Sequence, residues 1–138
     1  MKMSVLKKII LIAVALAITV FMLTGIAGCS KVSSVTTPIT ENILAGLNAR
    51  DYSVFSKNFD DRLKSELSED NFDELLAAVD EGYGTYKEGT LKFQGFNIEN
   101  NITTANYIAD FTKKSGTQVQ TIIQKSGNSV LVVGFWIK

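Results

Sequence analysis

The sequence predicts an α+β fold in which N-terminal helices pack on a bent, four-stranded antiparallel meander sheet. Three observations carry that expectation. Apolar residues recur at helical spacing between Ile39 and Val79, the apolar period changes to two after Tyr86, and short turns rich in Asn, Gly and Ser separate the alternating runs. Helices first and strands after is the pattern of layers segregated along the chain, with the helices on one face of the sheet.

Taken in order, Lys31 to Thr37 is short, β-branched and hydroxylated and shows no apolar stripe, so it reads as a solvated spacer. Pro38 suits the first position of a helix with Thr37 as its cap, because proline lacks the amide that the first turn leaves unpaired. Ile39, Ile43, Leu44 and Leu47 then form the stripe of a helix over Pro38 to Ala49. Asp51 restarts the pattern as a cap for a short helix bearing Val54, Phe55 and Phe59. Asp60 and Asp61 open a segment with Leu63 and Leu67, and neighbours in sequence point apart on a helix, so this pair reads as a cap and not as a catalytic dyad. Ser68 to Asn71 supplies a cap and negative charge for a helix whose stripe is Phe72, Leu75, Leu76 and Val79. Gly82 and Gly84 end it.

The strands follow. Leu91 and Phe93 alternate, then Phe96 and Ile98 alternate in the opposite register, which places an extra residue near Gln94-Gly95 and predicts a β-bulge. Turns at Asn100-Asn101, Lys114-Ser115-Gly116 and Ser126-Gly127-Asn128 separate strands over Ile102 to Lys113, Thr117 to Lys125 and Val130 to Ile137.

The N-terminus reads differently. Met1 to Lys8 carries three lysines, Ile9 to Leu23 is apolar apart from Thr19, and Ile26-Ala27-Gly28-Cys29 closes the run with small residues and the single cysteine of the chain. This resembles the lipobox of prokaryotic lipoproteins. The resemblance implies a signal peptide over 1–28, a diacylglyceryl anchor on Cys29, a lipidated tether over 29–37 and an α+β domain over 38–138, held on the extracytoplasmic side of the cell membrane.

Composition narrows the chemistry. The chain has 14 basic and 14 acidic residues; loss of Lys2, Lys7 and Lys8 with the leader leaves 11 against 14, a net charge of −3. Lys113-Lys114 is the one adjacent basic pair after Cys29, which argues against nucleic-acid binding. With no histidine, and with Cys29 committed to lipid, the common zinc sites and the Ser-His-Asp and Cys-His arrangements are not available, and no cofactor motif is present. The acidic group Glu69, Asp70, Asp73 and Glu74 lacks the glycine-bent loop of a calcium site and reads as charge favoured by a helix dipole. No metal site is expected. Asn101-Ile102-Thr103 matches a glycosylation acceptor but reads as chance in a prokaryotic chain.

Two stretches, Gly46 to Asp60 and the closing Val133-Gly134-Phe135-Trp136-Ile137, resemble the prokaryotic lipoprotein domains grouped as domain of unknown function 3887, within the nuclear-transport-factor-like or cystatin-like superfamily. The resemblance covers about Thr37 to Lys138. It implies a cone between sheet and helices that serves relatives as a pocket, an active site or a dimer surface. Phe93, Phe96, Tyr107, Phe111 and Phe135 are the candidate lining of that cone, weighed against a plain core role. Enzymatic members with such a cone use an internal acid, and Asp110 is the strand acid this chain offers. The expected function is a non-enzymatic, membrane-anchored binding or accessory domain for a protein or a small apolar ligand, the alternative being a small enzyme acting on an apolar molecule.

The last strand is apolar on both faces, and alternation groups Val130, Val132 and Trp136 on one side and Leu131, Val133, Phe135 and Ile137 on the other. The first group is a candidate contact for a homodimer or an envelope protein, with Ile108 and Ile122 beside it.

The anchor is directly testable. Each buried methylene contributes roughly 0.8 kcal/mol, so two acyl chains on Cys29 hold a domain at a membrane where one does not. A Cys29→Ser chain is expected to be released or left unprocessed; a cleaved form of that variant that still fractionates with membranes would contradict the lipoprotein reading.

Overall fold

The computed structural model describes residues 30–138, so the expected signal peptide over 1–28 and the lipidation site Cys29 lie outside the described residues. Val32–Lys138 forms one compact unit. Helix α1 occupies 30–49, followed by α2 (Tyr52–Phe55), α3 (Asp61–Glu66) and α4 (Glu69–Gly82). Strands β1 (Lys92–Glu99), β2 (Ile102–Ala109), β3 (Thr117–Ser126) and β4 (Ser129–Ile137) form an open antiparallel meander in the order β1-β2-β3-β4. Among the described residues no helix is long and apolar enough to cross a membrane.

Residues 30–37 are a correction to the expected spacer: they are helical, and Thr36 is fully buried. Pro38 therefore sits inside α1 and not at its first position. The inner stripe of α1 runs through Val32, Thr36, Thr40, Ile43, Leu44 and Leu47, so its first half is hydroxylated where a helical stripe is ordinarily apolar. Threonine is a weak helix former. Here the Thr36 and Thr40 hydroxyls donate back to the carbonyls of Val32 and Thr36, and the sheet supplies the burial that makes the helix hold. Ile43, Leu44 and Leu47, each almost fully buried, contribute about 1.5–3 kcal/mol apiece.

The later helices begin as their caps dictate. The Asp51 carboxylate accepts from the amides of Ser53 and Val54, and these bonds with the Ser53 hydroxyl, the hydroxyl foremost, lower its pKa. Asp60 accepts from Leu63 N–H. Ser68 occupies the cap position of α4 without a side-chain bond, and Glu69 and Asp70 place charge in the first turn. Phe55, Phe59, Phe72 and Tyr52 pack ring against ring under α2 to α4, with centroids 4.9–5.4 Å apart at the closest pairs. Gly46 makes this possible, since a Cβ there would stand 2.4 Å from the amide nitrogen of Phe55.

Two bulges set the faces of the sheet. The first falls between Phe93 and Gly95, as the change of alternation predicts, with Gly95 at φ +158°. The second lies in β4: Ile122 pairs with Gly134 and Ile123 with Val132, leaving Val133 extra. This corrects the expected grouping of the last strand. Val132 is fully buried and Val130 packs against the core, whereas Trp136 is 56% exposed and lies in register with Gln120 on the opposite face. The three candidate contact residues do not form one surface. Phe135 and Ile137 face the helices with Val130 and Val132 because the extra residue shifts the phase by one.

The strand expected over Ile102 to Lys113 ends at Ala109; Phe111 makes only an isolated bridge to Tyr86 before the chain turns.

Gly95→Val is expected to cost roughly 1–3 kcal/mol, because nothing crowds the site and the penalty is the backbone conformation alone. Chemical denaturation measures it, and a Gly95→Val protein as stable as the parent would show that the bulge tolerates any residue.

Candidate functional site: a groove beside the last strand

The space between helices and sheet is filled. Tyr107 and Phe111 are 1% exposed, and Phe93 stacks edge-on against Tyr107 at 5.5 Å. Threonine hydroxyls from α1 reach into this layer: Thr36 and Thr37 contact the Tyr107 hydroxyl, and Thr40 lies 2.7 Å from the Thr121 hydroxyl. The direction of each bond follows from one hydrogen per hydroxyl. Thr36 and Thr40 spend theirs on helix carbonyls, so Tyr107 donates to Thr36, Thr121 donates to Thr40, and Thr37 donates to Tyr107.

The five expected lining residues are accordingly not gathered round one hollow. Tyr107, Phe111, Phe93 and Phe135 belong to the core or pack on it, and Phe96 is half-buried on the edge strand β1. Asp110, the candidate acid, follows β2 and accepts from Gly116 N–H at 2.8 Å, which makes it a turn staple. At the far end of α1, Tyr86 is buried and donates to both oxygens of Glu41, while the Asn48 amide clamps both backbone groups of Tyr86. Burial first, and then the Glu41 carboxylate, push the Tyr86 phenol up to about 12. A polar cleft of about 370 Å³ lies nearby, where Arg50 pairs with Asp80 at an exposed position that contributes little to stability.

The apolar opening is elsewhere. A groove of about 260 Å³ lies between α4 and the C-terminal half of β4. Leu75, Ala78 and Val79 of α4 form one wall, Phe135 to Ile137 the other, and Leu47, Leu67 and Tyr83 complete it. The Tyr83 hydroxyl, the one hydroxyl among these side chains, rests on the carbonyl of Ile137 at 3.3 Å.

The groove borders a strand edge. Gln118 and Lys138 exchange backbone bonds, so antiparallel alternation turns the main-chain groups of residues 138, 136 and 134 toward β3 and those of 137 and 135 outward, up to the bulge at Val133. Part of this edge is covered. Val132 bonds to Asn58 and Asp60, and Arg62 donates to the Val133 carbonyl at 2.9 Å. Between that cover and Tyr83, the N–H and C=O of Phe135 point out beside the groove, and no described strand pairs with β4 there.

Comparison with protein-family models, with curated proteins and with solved structures finds no match.

The hydroxyl bonds between α1 and the sheet predict a modest cost. Tyr107→Phe and Thr121→Val should each destabilise by about 0.5–1.5 kcal/mol, the net worth of one neutral bond. The double variant should depart from the sum of the two, because Thr36 takes part in both chains of bonds, through its hydroxyl to Tyr107 and through its carbonyl to Thr40, the partner of Thr121. Equilibrium denaturation of both single variants and the double variant tests this; a pair without measurable cost would mean that packing alone seats α1.

Proposed function

We propose that this chain is a membrane-anchored, extracytoplasmic, non-enzymatic binding domain, held by lipid on Cys29, that takes an extended apolar segment of a partner protein along the open edge of β4. The observation that carries this reading is the apolar groove lying against outward-facing backbone groups of an edge strand. An added strand recognises such an edge through its own main chain and fills an adjoining hollow with alternate side chains.

Size favours a segment over a free small molecule. At about 260 Å³ the groove falls below the range of roughly 300–1,000 Å³ typical of small-molecule sites, and it is open along its length. The lipobox-like Ile26 to Cys29 supports the anchor.

A photoreactive phenylalanine analogue at the exposed Ala78 position tests the groove in intact cells. One discrete adduct, abolished by Leu75→Arg, is expected; a chain that gives no discrete adduct, or one indifferent to Leu75→Arg, is not using this edge.

A further inference from the structure

The face of the sheet turned away from the helices carries a second, chemically different surface. Gly95 pairs with Asn106, Asn106 with Gln120, and Gln120 with Trp136, so one row crosses all four strands. The adjacent row is Lys92, Ile108, Gln118 and Lys138. Between them lies a hollow of about 290 Å³ whose lining includes Gln94, Asn106, Gln118 and Gln120.

Four carboxamides thus come together from three strands beside an indole that is 56% exposed. Gln120 Nε2 donates to Asn106 Oδ1 at 2.9 Å, which holds both side chains in place and leaves the Asn106 amide group and the Gln120 carbonyl for a ligand. Neither row contains a carboxylate side chain, and lysines occupy both ends of the second.

We infer that this face binds an acidic glycan chain, with Trp136 stacked on the C–H face of a sugar ring, the carboxamides bonded to hydroxyl or acetamido groups, and Lys92 and Lys138 facing carboxylates. Each feature of the surface discriminates. Carboxamides both donate and accept, as sugar hydroxyls and acetamido groups require. An indole offers a rigid apolar plate with one polar tip. Two lysines are too few to displace the counterions of a nucleic acid. The positive ends of the row match an anionic partner. Trp136 borders the β4 groove as well, but the carboxamides line the outer hollow and the α4 residues of the groove do not.

Trp136 is the single tryptophan of the chain and also borders the β4 groove, so its fluorescence is read beside a groove variant, Leu75→Arg, that tells the two surfaces apart. The full-length protein in an uncharged detergent is titrated with a hyaluronan oligosaccharide, which alternates uronic acid and N-acetylhexosamine, and with a chitin oligosaccharide, which has the acetamido groups without the acid. Saturable protection of Trp136 from acrylamide quenching by the hyaluronan oligomer is expected. Gln120→Leu should weaken it about fivefold, the loss of one neutral hydrogen bond. Lys92→Ala should weaken hyaluronan and leave chitin binding unchanged. Leu75→Arg, in the groove, should change neither. Absence of saturable protection by hyaluronan overturns the inference, as does affinity indifferent to Gln120→Leu, or loss of binding on Leu75→Arg, which would put the sugar in the groove.

Discussion

The structure depends on a constraint that concerns polar atoms more than apolar ones: a hydroxyl taken out of water has to find a partner. Thr36, Thr40 and Thr121 are completely buried and Tyr107 nearly so, and among the described residues no buried side-chain nitrogen or oxygen is left without a hydrogen bond. The two threonines of α1 satisfy their hydrogens within the helix and offer lone pairs to the sheet, which answers with one phenol and one hydroxyl. Hydrophobic burial of Ile43, Leu44 and Leu47 presses α1 onto the strands without choosing a register. The hydroxyl pairs choose it, since a shift of one residue would leave the Tyr107 and Thr121 hydroxyls without their acceptors on α1 in a dry layer.

Once α1 is seated, the remaining surface follows from the open meander. A sequential four-stranded sheet has two edges, and β4 is shielded in pieces: by residues 58–60, by the Arg62 guanidinium, and by the Tyr83 hydroxyl. Such piecemeal cover is how proteins limit unwanted pairing while keeping a short stretch accessible. The two faces then divide by chemistry. The helix side is filled with aromatic rings and has its apolar opening beside Phe135, whereas the outer side carries carboxamides where no described element covers it.

Where the determining signal is local, the sequence is legible. Asp51 and Asp60 read as caps from their spacing to the next stripe, and the Gly95 bulge reads from a change of alternation within six residues. The start of α1 is hidden because its inner stripe is made of threonine, which reads as solvated until the partner hydroxyls, 71 and 81 residues away, are in place. The phase of β4 is hidden for another reason: Val130 to Val133 is apolar at every position, so alternation carries no information about which residue is extra. The exposure of Trp136 is legible, but its supposed companions Val130 and Val132 are not exposed with it. The groove draws on α1, α4, the α3–α4 junction and β4, and no single window of sequence contains that conjunction. The outer row likewise emerges only from strand register.

The latch between α1 and the sheet also orders events in time. Each hairpin of the meander closes between neighbours in sequence and needs only a short loop, whereas the bonds of Thr36 and Thr40 span most of the domain. In a chain made from its N-terminus, α1 is therefore synthesised before the strands, and its hydroxyl bonds to the sheet can form only after β2 and β3 exist. Until β2 and β3 have paired, the Tyr107 and Thr121 hydroxyls that meet its threonine-rich face are not in place, and the weak intrinsic propensity of that half lacks the support of the sheet. The latch at the leading end thus closes only once the strands have emerged.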